Sequence, residues 1–188
     1  MMLRGKARRQ GAAARVLLLG VGNPLRGDDG IGPRLARLVT GAVPQGVVVR
    51  CRHGDLLDLV DECAGYDALV CVDAAAPAGS PGRTHRFNLA VRALPSMLLP
   101  TSSHGLGLVD ALELARALGT LPSRVVVYAI EAQAFDQGAD IDPAVAAGAR
   151  RAARRLLGEL RRLAWLASRP ASRSRRGRDG SAGRREDP

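Results

Sequence analysis

Seven side chains able to hold a cation or move a proton fall beside apolar runs of this 188-residue sequence. Asn23, Asp28 and Asp29 follow the run Val16-Leu17-Leu18-Leu19-Gly20-Val21. His53 follows Gly46-Val-Val-Val-Arg-Cys51, Asp73 follows Ala68-Leu-Val-Cys-Val72, and Glu131 follows Val125-Val-Val-Tyr-Ala-Ile130. His104, in Ser102-Ser103-His104-Gly105, precedes a helical stretch that begins at Leu106. Carboxylates gathered in one place repel one another and lose hydration unless a cation compensates. Two carboxylates and one imidazole, with water in the open positions, suit a borderline transition metal better than magnesium or calcium. Each residue also has a structural reading. Asp28 or Asp29 can cap the next helix, Asp73 can bind nearby amides, His104 can start a helix, and Glu131 can simply end a strand. His53 stays undecided, and His85, in an expected edge strand, reads as structural or solvent-exposed.

The elements that must position these side chains alternate. Short continuous apolar runs at 16–21, 46–51, 68–72 and 125–130 read as strands buried on both faces. Helical spacing is expected from Ile31 to Val39, from an Asp55 cap to about Cys63, from Leu106 to Leu118, and from Asp142-Pro143 to about Leu166. Thr84 to Leu89 alternates and reads as an edge strand. Strand–helix alternation implies an α/β fold with a parallel, doubly wound sheet, whose ligands bind beyond the carboxyl ends of the strands. Every candidate above except His85 lies at or near that edge.

The formal net charge is +10, but residues 1–15 and 167–188 supply +9 of it. The domain is therefore expected over 16–166, between a basic leader without structure (1–15) and a disordered Arg-rich tail (167–188). A near-neutral middle with few aromatics argues against a nucleic-acid partner, which needs its charge on a folded face. The arginines of the last helix read as its solvated side. No apolar stretch is long enough to span a membrane, and three cysteines without a C-x-x-C pair fit a reducing cytoplasm. A nucleotide cofactor is disfavoured. Leu25 stands where a dinucleotide fingerprint needs glycine, Asp28 and Asp29 would repel a phosphate at the helix start, and the only lysine is Lys6. There is no G-x-S-x-G elbow and no H-E-x-x-H pair.

The stretch Leu18-Leu-Gly-Val-Gly-Asn-Pro-Leu-Arg-Gly-Asp-Asp-Gly-Ile-Gly-Pro33 resembles the opening motif of the NiFe hydrogenase maturation endopeptidases, G-x-G-N-x-L-x-x-D-(E/D)-G-x-G. Leu69-Val-Cys-Val-Asp-Ala74, Ser102-Ser-His-Gly-Leu106 and the run from Leu118 to Glu131 agree in order and spacing, so the resemblance covers roughly 16–160. It implies a single three-layer α/β/α domain with a twisted, mostly parallel sheet, of the phosphorylase/hydrolase-like kind. It implies an enzyme that removes the C-terminal extension from the large-subunit precursor of a hydrogenase once nickel is in place. By motif position, Asp29, Asp73 and His104 would be both the catalytic and the metal-binding residues, with nickel supplied by the precursor itself. The first ligand is often Glu in the family. Asp29 is one methylene shorter, about 1.5 Å, so the loop or a water must make up the distance. Asn23 and Asp28 would support the site, Asp28 by orienting the loop or by taking the ligand position itself. The competing reading on the same fold is a chaperone that binds metal or precursor without cutting it.

Overall fold

β1 (Val16–Val21) is buried along its whole length, as a continuous apolar run with no polar face requires. The computed structural model describes residues 15–90 and 106–169. The expected leader and tail therefore lie almost wholly outside the described residues, and so do Ser102, Ser103, His104 and Gly105. Four further strands complete one sheet: β2 (Val47–Arg52), β3 (Ala68–Ala75), β4 (Thr84–Asn88) and β5 (Arg124–Glu131). Their order is β2-β1-β3-β5-β4; all neighbours are parallel except the edge pair β4 and β5. The helices are α1 (Ile31–Val39), α2 (Leu57–Glu62), α3 (Leu108–Ala117) and α4 (Pro143–Ser168).

Strand parity divides the core into two layers. Leu18, Val70 and Val72 pack on one face with Ile31 and Leu35 of α1 and Leu156 and Leu160 of α4. Leu17, Leu19, Leu69 and Cys71 pack on the other with Leu59 of α2 and Leu112 of α3. The result is the three-layer α/β/α arrangement expected from the sequence. From β1 the chain leaves towards β2, and from β3 it leaves towards β5 and β4. The boundary between β1 and β3 is thus the switch point at which an open α/β sheet forms its ligand crevice.

Two boundaries differ from expectation in ways that matter. α2 is only six residues long and gives way to a 3-10 turn at Cys63–Gly65. β3 does not stop at Val72. Its pairing with β1 ends at Gly20 opposite Val72, but its pairing with β5 continues through Asp73, Ala74 and Ala75. Asp73 therefore sits inside a strand rather than after one, just past the last β1 pair. At the same point the first turn of α1 lies very close to the sheet. A Cβ on Gly32 would run into the carbonyl oxygens of Val21 and Val72. No helix among the described residues is long and apolar enough to cross a membrane.

Candidate active site

The loop leaving β1 is built by local hydrogen bonds that its residue types dictate. Asn23 accepts the N–H of Leu25 on its side-chain oxygen at 2.9 Å, an Asx turn. The Arg26 N–H returns to the Asn23 carbonyl, and the Asp29 N–H to that of Arg26. Gly27–Gly30 then forms a 3-10 turn that runs straight into α1. Neither aspartate caps the helix through its side chain. Asp29 is half-buried, and its Oδ2 accepts the Asn23 N–H at 2.9 Å. Gly22, at φ +125°, lets the loop fold this closely, since a Cβ there would strike the Asp29 carbonyl.

Asp73 comes from β3, on the face shared with Leu69, Cys71 and α3, and is 7% exposed. The hydrogen bond recorded to its carboxylate among the described residues is from the next amide, Ala74, at 2.8 Å. Burial raises its pKa to about 8; the Ala74 amide opposes the shift and the nearby Asp29 charge adds to it. Two acids held together at a switch point, one of them costly to ionise, form a place where a divalent cation would remove both burial cost and repulsion. The oxygen donors suit such an ion. Among the described residues no third metal-binding side chain joins them. His104, expected to complete the set, lies outside the described residues.

The other acids at this edge are already occupied. Asp28 is fully buried and accepts three backbone amides: Gln133 (2.8 Å) and Ala134 (3.1 Å) on Oδ2, and Asp142 (2.7 Å) on Oδ1. Of the two roles left open for it, that of ligand is therefore ruled out. Glu131 is 2% exposed, and its Oε1 accepts the amides of Ala78 and Ser80. Burial would push its carboxyl up, but these two amides and the neighbouring His85 outweigh it and hold the group below its usual range. His85 Nε2 stands 3.8 Å from Glu131 Oε2, beyond hydrogen-bond length, and its ring stacks on Phe87. His53 is exposed on the loop between β2 and α2. Burial drives the Cys71 thiol well above its ordinary pKa, with Cys63 and Asp73 adding to the shift, which excludes it as a thiolate nucleophile at neutral pH.

Sequence reasoning missed the segment 133–142, whose amides hold Asp28. The Asp142-Pro143 helix start was legible, and Asp142 does cap α4 by accepting from Ala144 and Val145. That its own N–H would reach back to Asp28 was not. A cavity of about 210 Å³ among Leu89, Arg116, Leu121, Pro122 and Val125 lies at the opposite, amino end of β5, and none of the strand-end acids lines it.

The comparisons with known proteins point to one family. Residues 54–159, more than half the chain, match the family model described as hydrogenase maturation protease. That stretch contains Asp73 and His104 but not the Asn23–Asp29 loop. The hydrogenase 2 maturation protease of Escherichia coli is 27% identical over 151 residues, spanning 78% of this chain and 91% of that protein. The structure of a hydrogenase maturating endopeptidase from E. coli superposes with a TM-score of 0.66 at 25% identity, covering 79% of this chain and 93% of the other. A NiFe hydrogenase maturation protease from Thermococcus kodakarensis gives a TM-score of 0.64 at 26% identity, with 78% and 99% covered.

Proposed function

Because this chain belongs to the hydrogenase maturation protease family, we propose that it is the endopeptidase that removes the C-terminal extension from a nickel-loaded hydrogenase large-subunit precursor. The enzyme hydrolyses peptide bonds, and the binding-only reading of the fold is set aside with it. The observation that carries the proposal is the pair Asp29 and Asp73 at the switch point. One acid lies on a turn braced by backbone bonds and the other is buried in β3 with a pKa of about 8.

In this reading the nickel arrives as part of the substrate. Asp29 and Asp73 take hold of it with their carboxylates, and His104 supplies the imidazole. Ionising Asp73 is unfavourable in the empty site, so the residue gives up its proton readily only when a cation is delivered beside it. A precursor without nickel would leave Asp73 protonated and bring the site no cation to hold, and would dock poorly. Nickel held by Asp29, Asp73 and His104 would supply a Lewis acid able to polarise a carbonyl or a water beside it. We place the reaction in the cytoplasm, a reducing compartment that accords with three cysteines, none of them in a disulfide.

The test is to incubate the protein with nickel-loaded precursor and follow loss of the C-terminal peptide by mass spectrometry. The wild-type protein shortens the nickel-loaded precursor and spares the nickel-free one. His104→Ala remains folded by circular dichroism and loses cleavage by at least about 100-fold. Retained cleavage in this variant would remove His104 from the site, and an unshortened precursor with the wild-type protein would count against the activity itself.

A further inference from the structure

Asp29 sits on a turn and Asp73 in a strand, so the placement of Asp29 depends on what holds the turn. The Asn23 N–H is the one hydrogen bond recorded to the Asp29 carboxylate among the described residues, and by itself it is a weak restraint. The residue before it is held very differently. Three amides from a segment more than 100 residues away converge on the buried Asp28 carboxylate. Two bonds run alongside: the Asp28 N–H to the Ala134 carbonyl at 3.0 Å, and the Gly138 N–H to the Leu25 carbonyl at 2.8 Å. Residues 25–28 and 133–142 are thereby clasped together at five points.

A buried carboxylate balanced, among the described residues, by amide dipoles is an expensive way to fasten a surface loop. The start of α4 does not need it, since Asp142 caps that helix with its own side chain. What the clasp does fix is the peptide joining residue 28 to residue 29.

We propose that Asp28 is the positioning residue of the site: by clasping the turn to segment 133–142 it holds the Asp29 carboxylate in place beside that of Asp73. This rests on the reading of Asp29 and Asp73 as the substrate-binding acids. It also explains why the position requires a carboxylate. Asparagine has one oxygen to offer three converging amides, and its own NH₂ would face donors.

The experiment compares the full-length protein with Asp28→Asn and with Leu160→Ala, a core change in α4 away from the clasp. The first readout is amide hydrogen exchange at Asn23, whose N–H reports on the Asp29 carboxylate. Asp28→Asn raises that exchange at least about 10-fold while β1 amides stay protected, and Leu160→Ala leaves it within about threefold at an equal loss of Tm. The second is precursor cleavage. Asp28→Asn lowers kcat at least about 30-fold with KM within about threefold, and Leu160→Ala changes neither beyond about threefold. Unchanged exchange at Asn23 in Asp28→Asn overturns the proposal, and so do equal losses in Leu160→Ala. Should Asp28→Asn fail to fold, Asp28→Glu, which keeps the carboxylate but shifts it one methylene out of register with the three amides, must give a smaller change of the same kind, and unchanged exchange at Asn23 in that variant overturns the proposal. The exchange readout needs no precursor. If Asp29→Asn and Asp73→Asn cleave like the wild type, the site assignment falls while the exchange result still stands.

Discussion

The acids at the carboxyl edge of the sheet divide by how many amides already serve them. Asp28 accepts three, Glu131 accepts two, and Asp73 accepts one, from its own neighbour. The first two have carboxylates that several backbone amides serve. The third is buried with one such amide, and its pKa rises from 3.8 to about 8. The sign of the linkage follows. Below about pH 3.8 the residue is neutral in both the folded and unfolded chain and costs nothing. As pH rises from there to about 8 the unfolded chain releases the proton and the folded chain keeps it, so stability falls through that window and levels off above it. Asp73→Asn keeps an oxygen for the Ala74 amide and cannot ionise. Its stability relative to wild type, from urea unfolding at several pH values, grows between pH 4 and 8 by on the order of a few kcal/mol, while cleavage is lost. A flat difference across that range would mean that Asp73 is ionised in the folded protein. Which acid plays which part was not legible in the sequence. The amides that satisfy Asp28 and Glu131 lie 51 to 114 residues away in the chain, whereas the Asx turn at Asn23 is two residues long and could be read directly.

At the scale of elements, position depends on how closely α1 approaches the sheet. The helix starts where β1 and β3 diverge, and its second residue, Gly32, lies against the carbonyls of Val21 and Val72. Gly20 faces it from β1, where an added Cβ would stand 2.6 Å from the Gly32 carbonyl oxygen. Two glycines in register thus let helix and strand backbones touch. Because the 3-10 turn bearing Asp29 leads directly into α1, any outward shift of the helix moves the acid as well. Gly32→Ala forces that shift against rigid backbone atoms. It should cost roughly 1–3 kcal/mol in chemical denaturation and lower cleavage beyond what the lost stability explains. Gly158→Ala is the matching control, since it lies on α4 with open space around it and should be neutral or slightly stabilising. Most of this level was readable. α1 occupies the expected Ile31–Val39, because its apolar spacing and Pro33 in the first turn are local signals. The overrun of β3 past Val72 was not readable, because it depends on β5 continuing the ladder after β1 has stopped, and single-strand hydrophobicity ends where Asp73 begins.

For the molecule as a whole, charge and chemistry are kept apart. Residues 1–15 and 167–188 supply +9 of the net +10, while every acid discussed above lies between them. The hydrophobic layers on both faces of the sheet are likewise closed by residues from 16 to 164. Stability and polyanion attraction should therefore be separable by truncation. A chain of residues 15–169 should melt within about 3 °C of the full-length protein, since it keeps every core residue found among the described ones. It should cleave the nickel-loaded precursor at an unchanged rate, because Asp29, Asp73 and His104 all remain. The same truncation should elute from heparin at much lower salt and lose most of the salt dependence of that retention, because attraction of this kind scales with the number of cations engaged. The exposed arginines of α4, including Arg150, Arg154 and Arg161, remain in the truncated chain and set the retention that is left. If the truncated protein kept the full retention, the charge that matters would lie on that helix and the ends would be incidental. If it melted more than about 5 °C lower, the ends would be packing against the domain and its boundaries would have to be redrawn.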